Sequence, residues 1–80
     1  MFKIVKIHNH TNVPGRLVEY TCTSEDDIPK LPRFGIRGTQ TDCMEKENDP
    51  CGYGSIAVVY TDSNTKAYTL RADNEWKPVK

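Results

Sequence analysis

Histidines and cysteines are the residues of this sequence best suited to hold a metal ion. The segment "HNH" at His8–His10 contains two imidazoles, and Cys22, Cys43 and Cys51 would complete a mixed Cys/His zinc site. Structural zinc sites usually contain a close cysteine pair, whereas the nearest cysteines here are separated by seven residues. An HNH nuclease also needs a helix and a further ligand, and neither follows. We therefore expect no metal site, and both imidazoles in a solvated turn.

The acidic run Glu25, Asp26 and Asp27 is a second candidate for metal chemistry. Calcium loops place their ligands at alternating positions, and that spacing is missing here. Ser24, just before the run, is a favourable N-cap, and acidic side chains suit the first turn of a helix. The segment therefore predicts a helical turn over residues 24–31, shortened by the proline at position 29.

Cys43 and Cys51 flank "MEKENDP", in which Asp49-Pro50 favours a turn that could bring the two sulfurs together. A disulfide closing this short loop would stabilise the domain by about 2–3 kcal/mol. In a reducing compartment both residues would remain free thiols. The sequence leaves both states open, while Cys22, in a strand, is expected to be buried.

The elements that must position these residues are mostly strands. "FKIVKI" and "RLVEYTC" predict a hairpin over residues 2–22, and "SIAVVY", "KAYTLR" and "EWKPV" predict a three-stranded meander over residues 55–79. Residues 33–54 lack a sustained period and predict a long loop, which at this length is often functional. The expected fold is all-β or β-rich α+β, with a small antiparallel sheet in a single domain spanning residues 1–80.

Trp76, the one tryptophan of the chain, is either the seal of the core or an exposed platform. Even-numbered residues of the first meander strand share one face, as do Tyr68 and Leu70 on the second, and Trp76 is even-numbered on the third. Turn length can reset this agreement between strands. We expect Tyr68, Leu70 and Trp76 to seal the core, because burying Trp76 contributes roughly 2–3 kcal/mol.

The long loop combines large apolar residues with arginines. Arginine, methionine and aromatic residues are enriched at protein interfaces, which makes four residues candidates for partner contact: Arg33, Arg37, Met44 and Tyr53. Phe34 and Ile36 could instead fold back over the meander, because so small a core needs apolar groups. The two interpretations are compatible.

Composition excludes several classes of function. Eleven basic residues balance eleven acidic ones, which removes the phosphate attraction that general nucleic-acid binders use. The longest apolar run, "IAVV", is far shorter than the roughly 20 residues of a membrane span, and the first residues lack the apolar core of a signal peptide. No nucleophile setting or phosphate loop is recognisable. We expect neither an enzyme nor a cofactor, no nucleic-acid or membrane partner, and a cytoplasmic location.

The segment "YGSIAVVYTDSNTKAYTLRADNEWKPV" resembles a pattern found in small virion-associated proteins of tailed bacteriophages, including head-fibre and tail-fibre segments. The matching positions are Gly54, Ser55, Ala57, Lys66, Tyr68, Leu70, Glu75, Trp76 and Val79. Asn64 and Asn74 occupy turn positions that usually hold glycine. The resemblance implies a non-enzymatic structural or accessory component of a particle, bound to capsid or tail proteins or to further copies of itself. Its location would be the host cytoplasm during assembly and then the virion.

Two other functions remain open from the residues. A carbohydrate-binding module would use Trp76 and Tyr68 as an exposed aromatic platform. A small regulatory or inhibitory protein would bind a host target through the loop at residues 33–54.

Overall fold

A computed structural model describes residues 1–8 and 16–79 of the chain. The strands among these residues form one five-stranded sheet, in the order in which they occur in the chain: β1 (Phe2–His8), β2 (Leu17–Cys22), β3 (Ile56–Tyr60), β4 (Thr65–Leu70) and β5 (Trp76–Pro78). Two short 3-10 helices, Glu25–Lys30 and Glu45–Asn48, lie between β2 and β3. The β-rich class expected from the sequence is confirmed.

The sheet is mixed, which corrects the expectation of a purely antiparallel one. β1 pairs with β2 and the strands β3, β4 and β5 pair in succession, all antiparallel. β2 and β3 run parallel, with Glu19 opposite Ile56 and Cys22 opposite Val59. Parallel neighbours require a long crossover, and residues 23–55 provide it. The hairpin and the meander therefore share one sheet and one core.

A shift of register in β1 places Phe2, Ile4 and Ile7 on the core side and leaves Val5 62% exposed. Ile4 lies opposite Tyr20 and Lys6 opposite Glu19, so Val5 is left without a cross-strand partner. A residue inserted in this way changes which residues face the core. Phe2, Ile4 and Ile7 consequently lie on one face although their spacing is uneven.

The core lies on one face of the sheet, between the strands and the long connection. In β3 its members are odd-numbered, since Ala57 and Val59 are buried whereas Ile56 and Tyr60 are exposed. Ala57 lies opposite Tyr68, so the even face of β4 matches the odd face of β3. The even-numbered residues of β3 and β4 therefore do not share a face, because the turn between the strands resets the register.

The three residues expected to seal the core, Tyr68, Leu70 and Trp76, are all buried. The Trp76 indole Nε1 donates a hydrogen bond of 2.9 Å to the Pro32 carbonyl, and its ring meets the edge of Tyr20 with the ring centroids 6.1 Å apart. Trp76 thus joins the last strand to the start of the long loop.

The first 3-10 helix begins after Ser24, whose Oγ accepts a hydrogen bond of 3.1 Å from the Asp26 amide. Pro29 lies inside this helix and Lys30 ends it. Asp27 is almost fully buried, and its carboxylate accepts hydrogen bonds from the Met1 amino group at 2.6 Å and from the Thr23 amide at 3.2 Å. Burial raises the pKa of Asp27, but these donors outweigh it and hold the pKa below its usual value.

Candidate functional site

Side-chain amides hold the long loop of residues 33–54 against β1. The Asn48 amide binds both backbone groups of Gln40, accepting from its N–H at 3.3 Å and donating to its carbonyl at 2.8 Å. The Gln40 amide in turn accepts from the Phe2 N–H at 2.6 Å and donates to the Phe2 carbonyl at 2.9 Å. We call this chain of contacts, Asn48 to Gln40 to Phe2, the amide relay. It occupies backbone groups that an edge strand would otherwise leave open.

A third amide acts in the same way on the other side of the loop. The Asn74 side chain accepts from the Phe34 N–H at 3.0 Å and donates to the Phe34 carbonyl at 3.2 Å. Asn74 has φ 64, a left-handed conformation that asparagine tolerates best among residues with a side chain. The turn position of Asn74 therefore carries a loop contact that glycine could not make.

The four residues proposed for partner contact fall into different parts of the loop. Arg37 forms an ion pair of 2.6 Å with Asp49, and Met44, just before the second 3-10 helix, is largely exposed. Arg33 is half-buried and pairs through its backbone with Ile36. Tyr53 packs on Phe34, with the ring centroids 4.9 Å apart and the planes tilted by 37°. Phe34 thus covers Tyr53 at the surface, while Ile36 stays half exposed.

The three cysteines are free thiols, so no disulfide joins Cys43 to Cys51 in the structure. The Cys43 thiol lies 3.5 Å from the Gln40 carbonyl, and the buried Cys51 thiol lies 3.5 Å from the Pro32 carbonyl. Burial raises the pKa of Cys51, and it raises that of Cys22 to about 11. Thiols with a raised pKa contain little thiolate at neutral pH and are poor nucleophiles.

His8 interacts with a carboxylate, its Nε2 lying 2.7 Å from Glu19 Oε2. His10 and the rest of the predicted turn at residues 9–15 lie outside the described residues. Within residues 1–8 and 16–79, no three His, Cys, Asp or Glu side chains come together as ligands for a metal ion.

The sheet face opposite the core, which we call the outer face, is the site that sequence reasoning missed. On this face Ile56 and Tyr60 of β3 are exposed and Val58 is half-buried. Cross-strand register places three neighbouring apolar or hydroxylated pairs there, Val58 with Ala67, Ile56 with Thr69 and Tyr60 with Thr65. The signal was present in "IAVVY", which is apolar at both odd and even positions. A strand that is apolar on both faces is typically covered on both faces.

Comparison of the chain with protein-family models, with curated proteins and with solved structures finds no match. Among the described residues, no helix is long and apolar enough to cross a membrane.

Proposed function

We propose that this chain is a non-enzymatic structural or accessory protein of a bacteriophage or prophage particle, attached to capsid or tail proteins through protein contacts. The observation that carries the proposal is the apolar outer face, where Ile56 is 39% and Tyr60 55% exposed on a central strand. Small domains seldom expose a contiguous apolar patch on a central strand unless a partner binds to that patch. The phage-like pattern of residues 53–79 supports the same class of protein.

The burial of Trp76 and Tyr68 argues against the carbohydrate-binding alternative. A sugar platform needs an aromatic ring with a free face, whereas Trp76 is 8% exposed and its indole N–H is already bonded to Pro32. Exposing that ring would open the core between the sheet and the loop. Apart from Met1, Val5 and Val79, the large exposed apolar groups belong instead to the outer face and to the loop.

A regulatory protein that binds a host target through the loop is the second candidate. The observation in its favour is the exposure of Met44 and Ile36, which are 64% and 50% exposed. The loop is held in one conformation by the amide relay and by Asn74, so it would present these residues without a large ordering cost.

Purification of particles from a culture of the host that carries this gene tests the proposal. We expect the chain to sediment with assembled particles in a density gradient at a constant ratio to the major capsid protein. Particles from a strain with the gene deleted are the control. Recovery of the chain only from the soluble fraction, beside intact particles, would contradict a particle role, and recovery there in complex with a host protein would support the second candidate.

A further inference from the structure

The outer face has the shape of a docking surface centred on β3. Ile56 and Tyr60 are separated by about 13 Å along the strand, with Val58 half-buried between them. Beside Tyr60 lies a hollow of about 220 Å³ lined by Lys3, Thr21 and Cys22 among others. The surface is therefore an apolar strip with a recess at one end.

The backbone of β3 limits what can bind to this strip. β3 pairs with β2 on one side and with β4 on the other, so its N–H and carbonyl groups are used within the sheet. A partner strand cannot be added to it, and an extended segment laid across the face would leave its own backbone groups unpaired. A helix satisfies its backbone internally, and about nine helical residues span the strip. An amphipathic helix is thus the simplest fit.

Charge on the outer face favours an acidic partner. Lys3 lies opposite Thr21 and Lys6 opposite Glu19, so both lysines lie on this face, at the β1 edge of the strip. Neither forms a salt bridge within the described part of the chain, and the Glu19 carboxylate is bound by His8. The β1 margin of the strip therefore carries two lysines against one carboxylate, Glu19, which His8 already contacts, so its net charge is positive.

The same charges disfavour a second copy of this chain as the partner. Two sheets that pack face to face usually keep their strands nearly aligned, and two copies are related by a two-fold axis. An axis along β3 would place Lys6 of one copy over β5 of the other, where Lys77 lies on the outer face. An axis across the strands would place the β1 lysines of both copies together. The second arrangement is the less favourable, because it brings Lys3 and Lys6 of both copies together, whereas in the first Lys6 meets a lysine that Asp73 already pairs at 3.0 Å.

We propose that the outer face binds an amphipathic helix of another particle protein, with the apolar stripe of that helix on Ile56, Val58 and Tyr60 and carboxylates on its flank facing Lys3 and Lys6. The proposal rests on the proposed function, because it takes the partner to be a component of the particle. It assigns the attachment to the sheet and not to the loop at residues 33–54.

Rebinding to particles made without this chain tests the assignment. Purified chain is added to particles from the gene-deleted strain, the particles are sedimented, and the bound chain is measured as a function of concentration. The test variant Ile56→Thr/Tyr60→Thr keeps residues suited to strands while removing the exposed apolar groups. The matched control, Ile36→Thr/Met44→Thr, removes comparable exposed groups from the loop. Circular dichroism and the thermal midpoint establish that both variants fold.

We expect the outer-face variant to bind about tenfold more weakly or worse, and the loop variant to bind as the unaltered chain does. Lys3→Glu/Lys6→Glu should also weaken binding and reduce its dependence on salt.

Weakened binding by the loop variant alone would overturn the assignment while leaving a particle role intact. Failure of the unaltered chain to bind would overturn the particle role itself. A stable dimer in sedimentation velocity that Ile56→Thr/Tyr60→Thr dissociates would show that a second copy covers the face.

Discussion

The meander of residues 55–79 and the long loop of residues 33–54 are of similar length but are held together in different ways. In the meander, successive strands pair through their backbones and bury alternate residues. The loop is held instead by single side chains: Asn48 binds the backbone of Gln40 within the loop, and Asn74 of the meander binds the backbone of Phe34. A β-ladder distributes its stability over many equivalent bonds, whereas the loop combines scattered backbone bonds, such as those between Arg33 and Ile36, with these few side-chain contacts. The loop should therefore be more sensitive to single substitutions at those contacts.

The largest effect is expected where the two regions meet, at Trp76. Trp76→Ala removes a buried ring and its hydrogen bond to Pro32, at a cost of about 3–5 kcal/mol. A core of this size rarely supplies more than that, so the isolated domain should unfold. Circular dichroism and thermal melting measure the loss, with Trp76→Phe as the variant that retains much of the ring. A Trp76→Ala protein as stable as the unaltered chain would mean that the two regions are not joined through this residue.

Gly38→Ala should destabilise the packing of the loop without changing any residue of the meander. A Cβ at position 38 would lie 2.6 Å from Asn48 Oδ1 and 2.9 Å from the Lys30 carbonyl, so backbone or the amide relay must move. We expect a loss of about 1–3 kcal/mol in the free energy of unfolding, measured with urea.

Gly35→Ala is the matched control for this steric effect. Position 35 has open space around it but φ +73, so alanine there meets backbone strain alone. We expect a smaller loss, about 1 kcal/mol. Equal losses at the two glycines would indicate that close packing at Gly38 is unimportant.

Asn48→Ala tests the amide relay directly. It removes two hydrogen bonds to Gln40 and leaves that backbone partly buried without partners, which should cost about 1–3 kcal/mol. Hydrogen exchange should accelerate at Phe2 and Gln40 while the β3–β4 amides keep their protection. Uniform acceleration across both regions would show that the loop and the sheet unfold as one unit.

Acid should weaken the contact of the first 3-10 helix with Met1. The folded pKa of Asp27 lies below its unfolded value, so its contribution to stability is complete above the ordinary carboxyl range and is lost as pH falls through the folded pKa. Urea midpoints between neutral pH and about pH 2 should fall less steeply in Asp27→Asn than in the unaltered chain. Parallel curves for the two proteins would contradict the role given to this carboxylate.

The smallest effect is expected inside the sheet, at Tyr20. Its buried hydroxyl lies near the Cys51 thiol but forms no hydrogen bond of good geometry with it or with any other described residue. Tyr20→Phe removes the cost of burying that group and keeps the edge contacts of the ring with Phe2 and Trp76. We expect stability to be unchanged or to rise by up to about 1 kcal/mol in thermal melts. A clear loss of stability would show that the Tyr20 hydroxyl forms a hydrogen bond that stabilises the fold.

The strands and the first helical turn could be predicted from the sequence because their signals are local. Alternating apolar residues and turn residues locate β3, β4 and β5, and Ser24 with its acidic run locates the first 3-10 helix. The amide relay could not be predicted in this way. Gln40 and Asn48 are ordinary polar residues of a loop, and their partners are defined only when β1 lies beside them.

The outer face illustrates the same limit for the candidate site. "IAVVY" indicates that both faces of β3 are apolar, but which face is buried depends on the register with β4, set by the turn between them. The loop residues Arg37 and Met44 were proposed for partner contact from residue type alone. Their exposure, and that of Ile56 and Tyr60, depends on what packs around them.

The sequence by itself determined the β-rich class, the positions of the strands and the importance of Trp76, because these depend on period, turn residues and size. Only the tertiary structure decided that β2 and β3 run parallel, that the hairpin and the meander share one core, and that Ile56 and Tyr60 are exposed on the face opposite that core. These features depend on contacts between residues far apart in the chain. Such contacts have no local signal, because each residue involved could have served equally well in another arrangement.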